Sequence, residues 1–291
     1  MYKKNINKYM KIAFLFLTID DLLFPQIWEY YFKNNFDKIN IYCHPKYPEK
    51  INTKWLKKSV INKLTHTKWG HFTNAIISLF KAALLDKDNQ KFIIVSESCL
   101  PIKSFTKLYY FLKNDNIKTS YIHLRKFDDV NIIKSKLPNN YLNYELIKHS
   151  GWFCLSRHHV KKLLINNDIY KFNKVIAGDE HIFSLIYPNK NIKNYKITFV
   201  NWNYAKNVIE NINKDLHKLY ERKESENTKK YDKQILNLRI QKCNLAKHPK
   251  TYSELNENDI KQIMQSKSFF MRKFSKDSNI VDKFKSILDE L

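Results

Sequence analysis

The chain has 291 residues, 43% hydrophobic and 14% aromatic, which excludes a disordered polypeptide and supplies a large core without metal or disulfide staples. Its 52 Lys and Arg against 28 Asp and Glu give a net charge of +24, a balance that favours anionic partners such as nucleic acid, an acidic membrane surface or a phosphorylated small molecule. Part of that charge has a bland origin, because Lys, Asn and Ile are abundant throughout while Gly falls to 3, as in an AT-rich genome.

Residues 1–10 read as a basic tail. The uninterrupted apolar run 12–18 predicts a strand buried on both faces of a parallel sheet. Residues 22–36 have helical spacing, and 38–43 form a second strand stopped by His44-Pro45, completing a β-α-β unit. A helix over 70–85 carries Ala75, Ile76, Leu79, Ala82 and Ala83 on one face, and the buried strand 91–95 ends at Ser96-Glu97-Ser98. There follow a helix over 105–112, a strand at 121–124, a loop with Phe127-Asp128-Asp129, a strand at 151–155 and a helix over 158–164. Gly178-Asp179-Glu180 opens an apolar helix over 181–186, and the strand 196–200 leads to Asn201-Trp202.

Residues 208–247 shift to Lys, Glu and Asn, with modest periodicity at Leu216, Leu219, Tyr220, Ile235, Leu236 and Leu238. They read as a charged helical insertion in a single domain formed by 11–207 and 248–291. Alternating strands and helices predict an α/β layered fold, with ligands bound beyond the carboxyl ends of the strands. Those ends are Thr18 to Asp20, Cys43 to Lys46 and Ser96 to Cys99.

Several chemistries are excluded by composition. Three glycines, at 70, 151 and 178, cannot build a Rossmann fingerprint or a P-loop. The four cysteines at 43, 99, 154 and 243 form no zinc spacing and no disulfide framework. There is no H-E-x-x-H and no nucleophile elbow. The sole D-x-D, Asp86-Lys-Asp88, precedes a strand instead of following one and reads as a solvated turn. The uncharged run 12–19 is far below the ~20 residues of a membrane span, and Asp20-Asp21 stands where a signal cleavage site would be. The expectation is a cytoplasmic protein with no membrane span.

The order of motifs then becomes informative. The strand 12–18, Ile41-Tyr-Cys-His-Pro45, Lys68-Trp-Gly70 before an Ala-rich helix, the segment from Phe92 through Ser-Glu-Ser-Cys-Leu-Pro to Ile102, Ser150-Gly-Trp-Phe-Cys-Leu-Ser-Arg157, Asp179-Glu180, His248-Pro-Lys-Thr251 and Phe270-Met-Arg-Lys-Phe274 together resemble the core-2/I-branching β-1,6-N-acetylglucosaminyltransferase family, its plant relatives especially. The resemblance implies a GT-A-like fold with a Rossmann-like mixed sheet flanked by helices. It implies an inverting glycosyltransferase that moves a sugar, N-acetylglucosamine first among the candidates, from a UDP donor to a hydroxyl of a glycan or glycoprotein acceptor, with no divalent metal and no separate cofactor.

Carried onto this chain, the family's general base is Glu180, and its two diphosphate-binding cations fall on Lys250 and Lys273, with Arg272 or His248 sharing the task because Lys replaces the usual Arg at 250. Ser96, Glu97 and Ser98 occupy the place where other GT-A enzymes hold a metal. The donor nucleotide is expected against Thr18, Ile19 and Asp20, His44, Pro45 and Lys46, and Lys68. Ser150, Trp152, Asp179 and Trp202 are expected to meet the acceptor, since aromatic faces stack on sugars. Other readings stand beside these: Asp179 and Glu180 as complements to a helix N-terminus, Thr18 or Asp20 as helix caps, both Trp as core residues, and the lysines as solvated surface. For the whole chain the alternatives are a basic nucleic-acid-binding protein, disfavoured by charge that is spread instead of clustered and by the absence of a recognition motif, and an inactive relative that binds glycans.

Overall fold

A computed structural model of the protein describes residues 10–125, 145–226, 228–276 and 280–290. The loop at Phe127-Asp128-Asp129 and residues 1–9 of the tail lie outside the described residues. The first apolar run forms β1 (Lys11–Thr18). Its alternate side chains enter two cores, Ile12, Phe14 and Phe16 on one face and Ala13 and Leu15 on the other. Only a strand with apolar side chains at successive positions can be buried this way. β2 (Ile39–Pro45) and β3 (Asn89–Ser96) flank β1, both parallel to it. α1 (Pro25–Phe32) and the short α2 (Lys54–Lys58) pack on the first core, and α3 (Thr73–Leu84) packs on the second. The helix expected over 22–36 is shorter because Pro25 starts it: the ring fixes φ for the first turn and needs no backbone N–H there.

Beyond β3 come β4 (Leu100–Pro101), α4 (Phe105–Lys113), β5 (Ser120–Ile122), β6 (Leu124–Arg125), β7 (Lys148–His149), β8 (Cys154–Ser156) and α5 (Arg157–Ile165). β9 (Ile192–Asn194), β10 (Thr198–Val200) and β11 (Phe270–Arg272) complete the strands. The central sheet has the order β2-β1-β3-β8-β5-β9, with β8 antiparallel to both neighbours, and a second sheet runs β10-β11-β4. Helices on both faces of a mixed sheet make this the α/β, GT-A-like architecture that the sequence leads one to expect.

Local departures have identifiable causes. The strand expected at 121–124 divides at His123, where pairing passes from β8 and β9 to β7. The strand expected at 151–155 begins only at Cys154. The apolar helix expected over 181–186 is absent: residues Gly178–Glu180 and Ile182–Leu185 form two single 3₁₀ turns. Pro188 leaves too little chain for an α-helix and restricts the residue before it. Asp86 lies in a part-exposed turn as expected, and its carboxylate is also used: Lys11 Nζ lies 3.2 Å and Asn40 Nδ2 2.6 Å from it. It ties the amino-terminal edge of the sheet, where Arg157 donates to the carbonyls of Leu84, Asp86 and Asn89.

α6 (Lys206–Ser225) and α7 (Asp232–Lys247) pack together around Ile212, Leu216 and Ile235. Tyr220 and Leu236, expected on the apolar stripe, are exposed. α8 (Glu257–Gln265) and α9 (Val281–Glu290) follow. No helix among the described residues is long and apolar enough to cross a membrane, and their four cysteines are free.

Candidate active site

The chain leaves β1 toward β2 on one side while β3 pairs on the other, so the carboxyl ends of β1 and β3 border the crevice where open α/β sheets bind ligands. Thr18 Oγ1 there donates to the Asp20 carbonyl at 2.7 Å. The neighbouring Asp21 is consumed structurally, accepting from the backbone N–H groups of Asn52 and Thr53 at 2.9 and 2.8 Å. Ser96 Oγ sits 3.2 Å from both Ser98 Oγ and Cys99 Sγ in a tight turn. The backbone of that turn is pinned from two directions, the Glu97 carbonyl by Leu23 N–H and the Ser98 carbonyl by Phe274 N–H. Burial pushes the Glu97 carboxyl above the usual range, while the positive fields of Arg272 and Lys273 and the Ile19 N–H oppose the shift.

A cleft opens beside this rim, lined by His123, Arg125, Ser150, Trp152, Glu180, Lys196, Val200, Trp202 and Arg272. Five of the residues expected from sequence therefore meet in one place: Ser150, Trp152, Glu180, Trp202 and Arg272. The sheet explains the convergence. β8 runs antiparallel to β3, with Ile94 N–H donating to the Phe153 carbonyl, so Ser150 to Trp152 fall at the carboxyl end of β3. β10 and β11 are parallel and in register at Val200 and Arg272, which delivers Arg272 and, two residues past β10, Trp202 to the same edge. The Arg272 guanidinium lies 4.2 Å over the Trp152 ring, and its buried Nε has no acceptor among the described residues.

Glu180 is presented by the first 3₁₀ turn. Ala177 adopts a left-handed conformation, φ 54°, and donates its N–H to the Gly70 carbonyl at 2.7 Å. Gly178 then passes so close to Phe172 that a Cβ would lie 1.8 Å from the Phe172 carbonyl oxygen. Asp179 and Glu180 therefore stand in the first turn of a 3₁₀ segment and not of the expected α-helix. Glu180 is a quarter exposed, with Lys148 Nζ 3.7 Å from its carboxylate. Burial raises its pKa, and Lys148, Arg125 and Arg272 oppose that rise. Asp179 is buried, and burial together with the adjacent Glu180 charge pushes its carboxyl up to about 7. Two coupled carboxyls with unequal surroundings suit one to remain ionised while the other holds a proton.

The remaining expected residues are distributed around this centre. Ile19 is exposed at the rim, and Lys46 N–H donates to the Thr18 carbonyl. Pro45 is buried opposite Thr18 in the strand register. His44 is turned inward: its Nε2 accepts the Thr65 N–H at 2.9 Å, and burial lowers its pKa, so its ring serves the β2 end. Lys68 is exposed in a narrow turn whose carbonyl accepts from His71. Lys250 and Lys273 lie outside the cleft lining. Lys250 Nζ is 2.5 Å from the buried Asp259 carboxylate and 4.5 Å from the Tyr252 ring centre. Asp259 is also the N3 member of the capping box of α8, so Lys250 ties the chain before α8 to that helix. His123, Arg125, Lys148 and Lys196 are site residues that sequence reasoning missed. Each is a single basic side chain in a chain with 52 Lys and Arg, and only the strand pairing sets it apart.

The described residues contain no group of three or more His, Cys, Asp or Glu arranged to hold a metal ion. Comparison with known proteins fits the geometry. A rice protein (Oryza sativa subsp. japonica), "Glycosyltransferase BC10", is 26% identical over 121 residues, which cover 38% of this chain and 30% of the relative's length. Residues 12–264, which include all the cleft-lining residues except Arg272, match the family described as Core-2/I-Branching enzyme. The chain belongs to the Core-2/I-branching enzyme family.

Proposed function

We propose that the protein is an inverting glycosyltransferase that moves a sugar from a UDP-sugar donor to a hydroxyl of a glycan or glycoprotein acceptor. The observation that carries this reading is Glu180, a carboxylate of raised pKa at the mouth of a cleft framed by two Trp and two Arg. Inverting transfer needs one base to take the acceptor proton as the hydroxyl attacks the anomeric carbon opposite the departing diphosphate. A carboxylate whose pKa is lifted by burial is better matched to that task than a fully solvated one. Family membership and the rice relative support a glycosyltransferase, and the resemblance to β-1,6-N-acetylglucosaminyltransferases puts N-acetylglucosamine first among the donor sugars.

In this reading the nucleotide lies in the β1–β3 crevice. The Asp20 carboxylate is available to the ribose, since Asp21 holds the loop instead. Arg272 and Lys273, whose positive fields already reach Glu97, stabilise the charge that develops on the diphosphate. Lys250 is held by Asp259, so the diphosphate role falls to Arg272 and Lys273. Trp152 and Trp202, each with an arginine over its ring, offer their remaining ring surface to the sugars. This arrangement makes cations of the chain do what a bound metal does in other GT-A enzymes, and a panel of UDP-sugars tests it. Turnover of at least one donor is expected, undiminished in EDTA and not increased more than about twofold by manganese. Turnover that requires manganese would overturn the assignment of Arg272 and Lys273, and no turnover of any donor would overturn the proposed activity.

A further inference from the structure

The cleft holds more positive charge than a neutral sugar and a diphosphate require. Arg125, Lys196 and Arg272 line it, and Glu180 is the only carboxylate among the described lining residues. Arg272 is taken up by the diphosphate in the reading above. Arg125 and Lys196 remain, and neither has a carboxylate partner within ion-pair distance among the described residues. The Arg125 guanidinium lies 5.6 Å from the centre of the Trp202 ring. Lys196 Nζ donates to the Val200 carbonyl at 3.2 Å and lies 4.6 Å from the Phe199 ring centre. His123, with its pKa lowered by burial and then by Lys196 and Arg125, adds a neutral imidazole.

Both side chains are half-buried, so each has given up part of its hydration with no ion-pair partner among the described residues beyond the longer-range field of Glu180 on Arg125, an arrangement that an anionic ligand relieves. Flat Trp202 beneath a guanidinium is also a specific shape. A pyranose on the part of the indole surface that Arg125 leaves free presents its equatorial substituents toward the edge of the guanidinium, where the planar fork can take a carboxylate through two parallel hydrogen bonds. A neutral hydroxymethyl group at that place would leave Arg125 and Lys196 uncompensated.

We infer that the acceptor sugar resting on Trp202 carries a negatively charged substituent, a carboxylate of the uronic acid type, held by Arg125 and Lys196. The inference rests on the glycosyltransferase reading for the word acceptor, but the anion-binding subsite stands on the cleft itself.

The test uses the full-length protein saturated with UDP and two probes that differ only at C6: methyl β-D-glucuronide and methyl β-D-glucoside. Calorimetry or saturation-transfer NMR measures their affinities, and transfer assays with the best donor of the UDP-sugar panel measure acceptor use. The glucuronide is expected to bind about ten- to a hundredfold tighter, the range that a charge-assisted hydrogen-bonded pair supplies. That ratio is expected to fall several-fold in Arg125→Gln, to within about twofold when Lys196→Gln is added, to survive in part in Arg125→Lys, and to narrow at high salt. A purely structural role for Arg125 would weaken both probes alike and leave the ratio unchanged, which would overturn the inference. Equal affinities in the wild type would overturn it too. A charge preference found only among donors, with UDP-glucuronate favoured over UDP-glucose and neutral acceptors used freely, would overturn the acceptor assignment. If no donor is turned over but the glucuronide ratio holds, the glycosyltransferase reading fails and the anion subsite remains.

Discussion

On the proposed mechanism, Glu180→Gln is expected to lower transfer about a thousandfold while leaving the fold intact. The substitution is isosteric and removes only the proton-accepting charge, and general-base catalysis of this kind contributes about 10²–10⁴ in rate. The Lys148 contact is long, 3.7 Å, and both side chains are partly exposed, so its loss costs stability little. A second readout separates loss of a base from general damage. The base works only when ionised, so the wild-type rate rises with pH through the Glu180 pKa. Burial lifts that pKa against the opposing fields of Lys148, Arg125 and Arg272. The acid limb of kcat/KM therefore lies above the ordinary Glu range in the wild type and is absent from the residual activity of Glu180→Gln. Removing the Glu180 charge also removes one of the causes that raise Asp179, so the Asp179 carboxyl moves down from about 7. An NMR titration of the Asp179 carboxyl in both proteins checks this. Retention of more than a tenth of wild-type transfer would sink the assignment of the base.

Gly178→Ala is the most damaging small substitution available in the site. The added methyl would sit 1.8 Å from the Phe172 carbonyl oxygen and 2.7 Å from its carbon. These are backbone atoms on the turn that packs beneath the site, so the methyl cannot be accommodated by a side-chain rotation. Relief requires the 3₁₀ turn to move, and with it Glu180. Overpacking of this severity costs about 3 kcal/mol, or a fall in Tm of ~6–10 °C in a chain of this size. A displacement of the base by about 1 Å adds a further loss on the order of a hundredfold in rate. Gly151→Ala is the contrasting case: its Cβ would meet only the Asp179 Oδ2 atom, at 3.5 Å, and its Tm is expected to stay within a few degrees of wild type. Thermal unfolding of the two variants in parallel decides the matter, and equal stability for both would show that the packing around Gly178 is not as described.

The two variants illustrate what sequence reveals and what it conceals. β1 and β3 were legible because a strand buried on both faces must be apolar at successive positions, and residues 12–16 and 92–95 are. Their carboxyl ends, and so the rim carrying Thr18 and Ser96, followed from the same pattern. The strands β4, β6 and β7, two residues each, carry no periodicity of their own, since partners elsewhere in the chain define them. The segment after Gly178 misled by its composition: Ile182, Phe183, Ser184 and Leu185 are all buried, and burial from every side reads as an apolar helix while Pro188 and the close passage at Gly178 allow only 3₁₀ turns. Ser150, Trp152, Glu180 and Arg272 were found through motif order, and Trp202 through its place after a strand and its aromatic face. Lys250 could not be read as the partner of Asp259, because nothing in the sequence distinguishes that pair from two solvated side chains nine residues apart. The basic residues Arg125 and Lys196 escaped for the same reason, as their meeting depends on how β6 and β10 converge.

The linkage formed by the wild-type protein puts the mechanism to its sharpest test. Incubating the protein with α-linked UDP-sugars and a glycan acceptor, and reading the anomeric proton coupling of the product by NMR, reports on which face the acceptor attacked. Direct displacement by a hydroxyl that Glu180 deprotonates predicts a β-linked product from an α-linked donor. An α-linked product would contradict it, because retention requires a different set of steps at the anomeric carbon and leaves Glu180 without the role assigned to it.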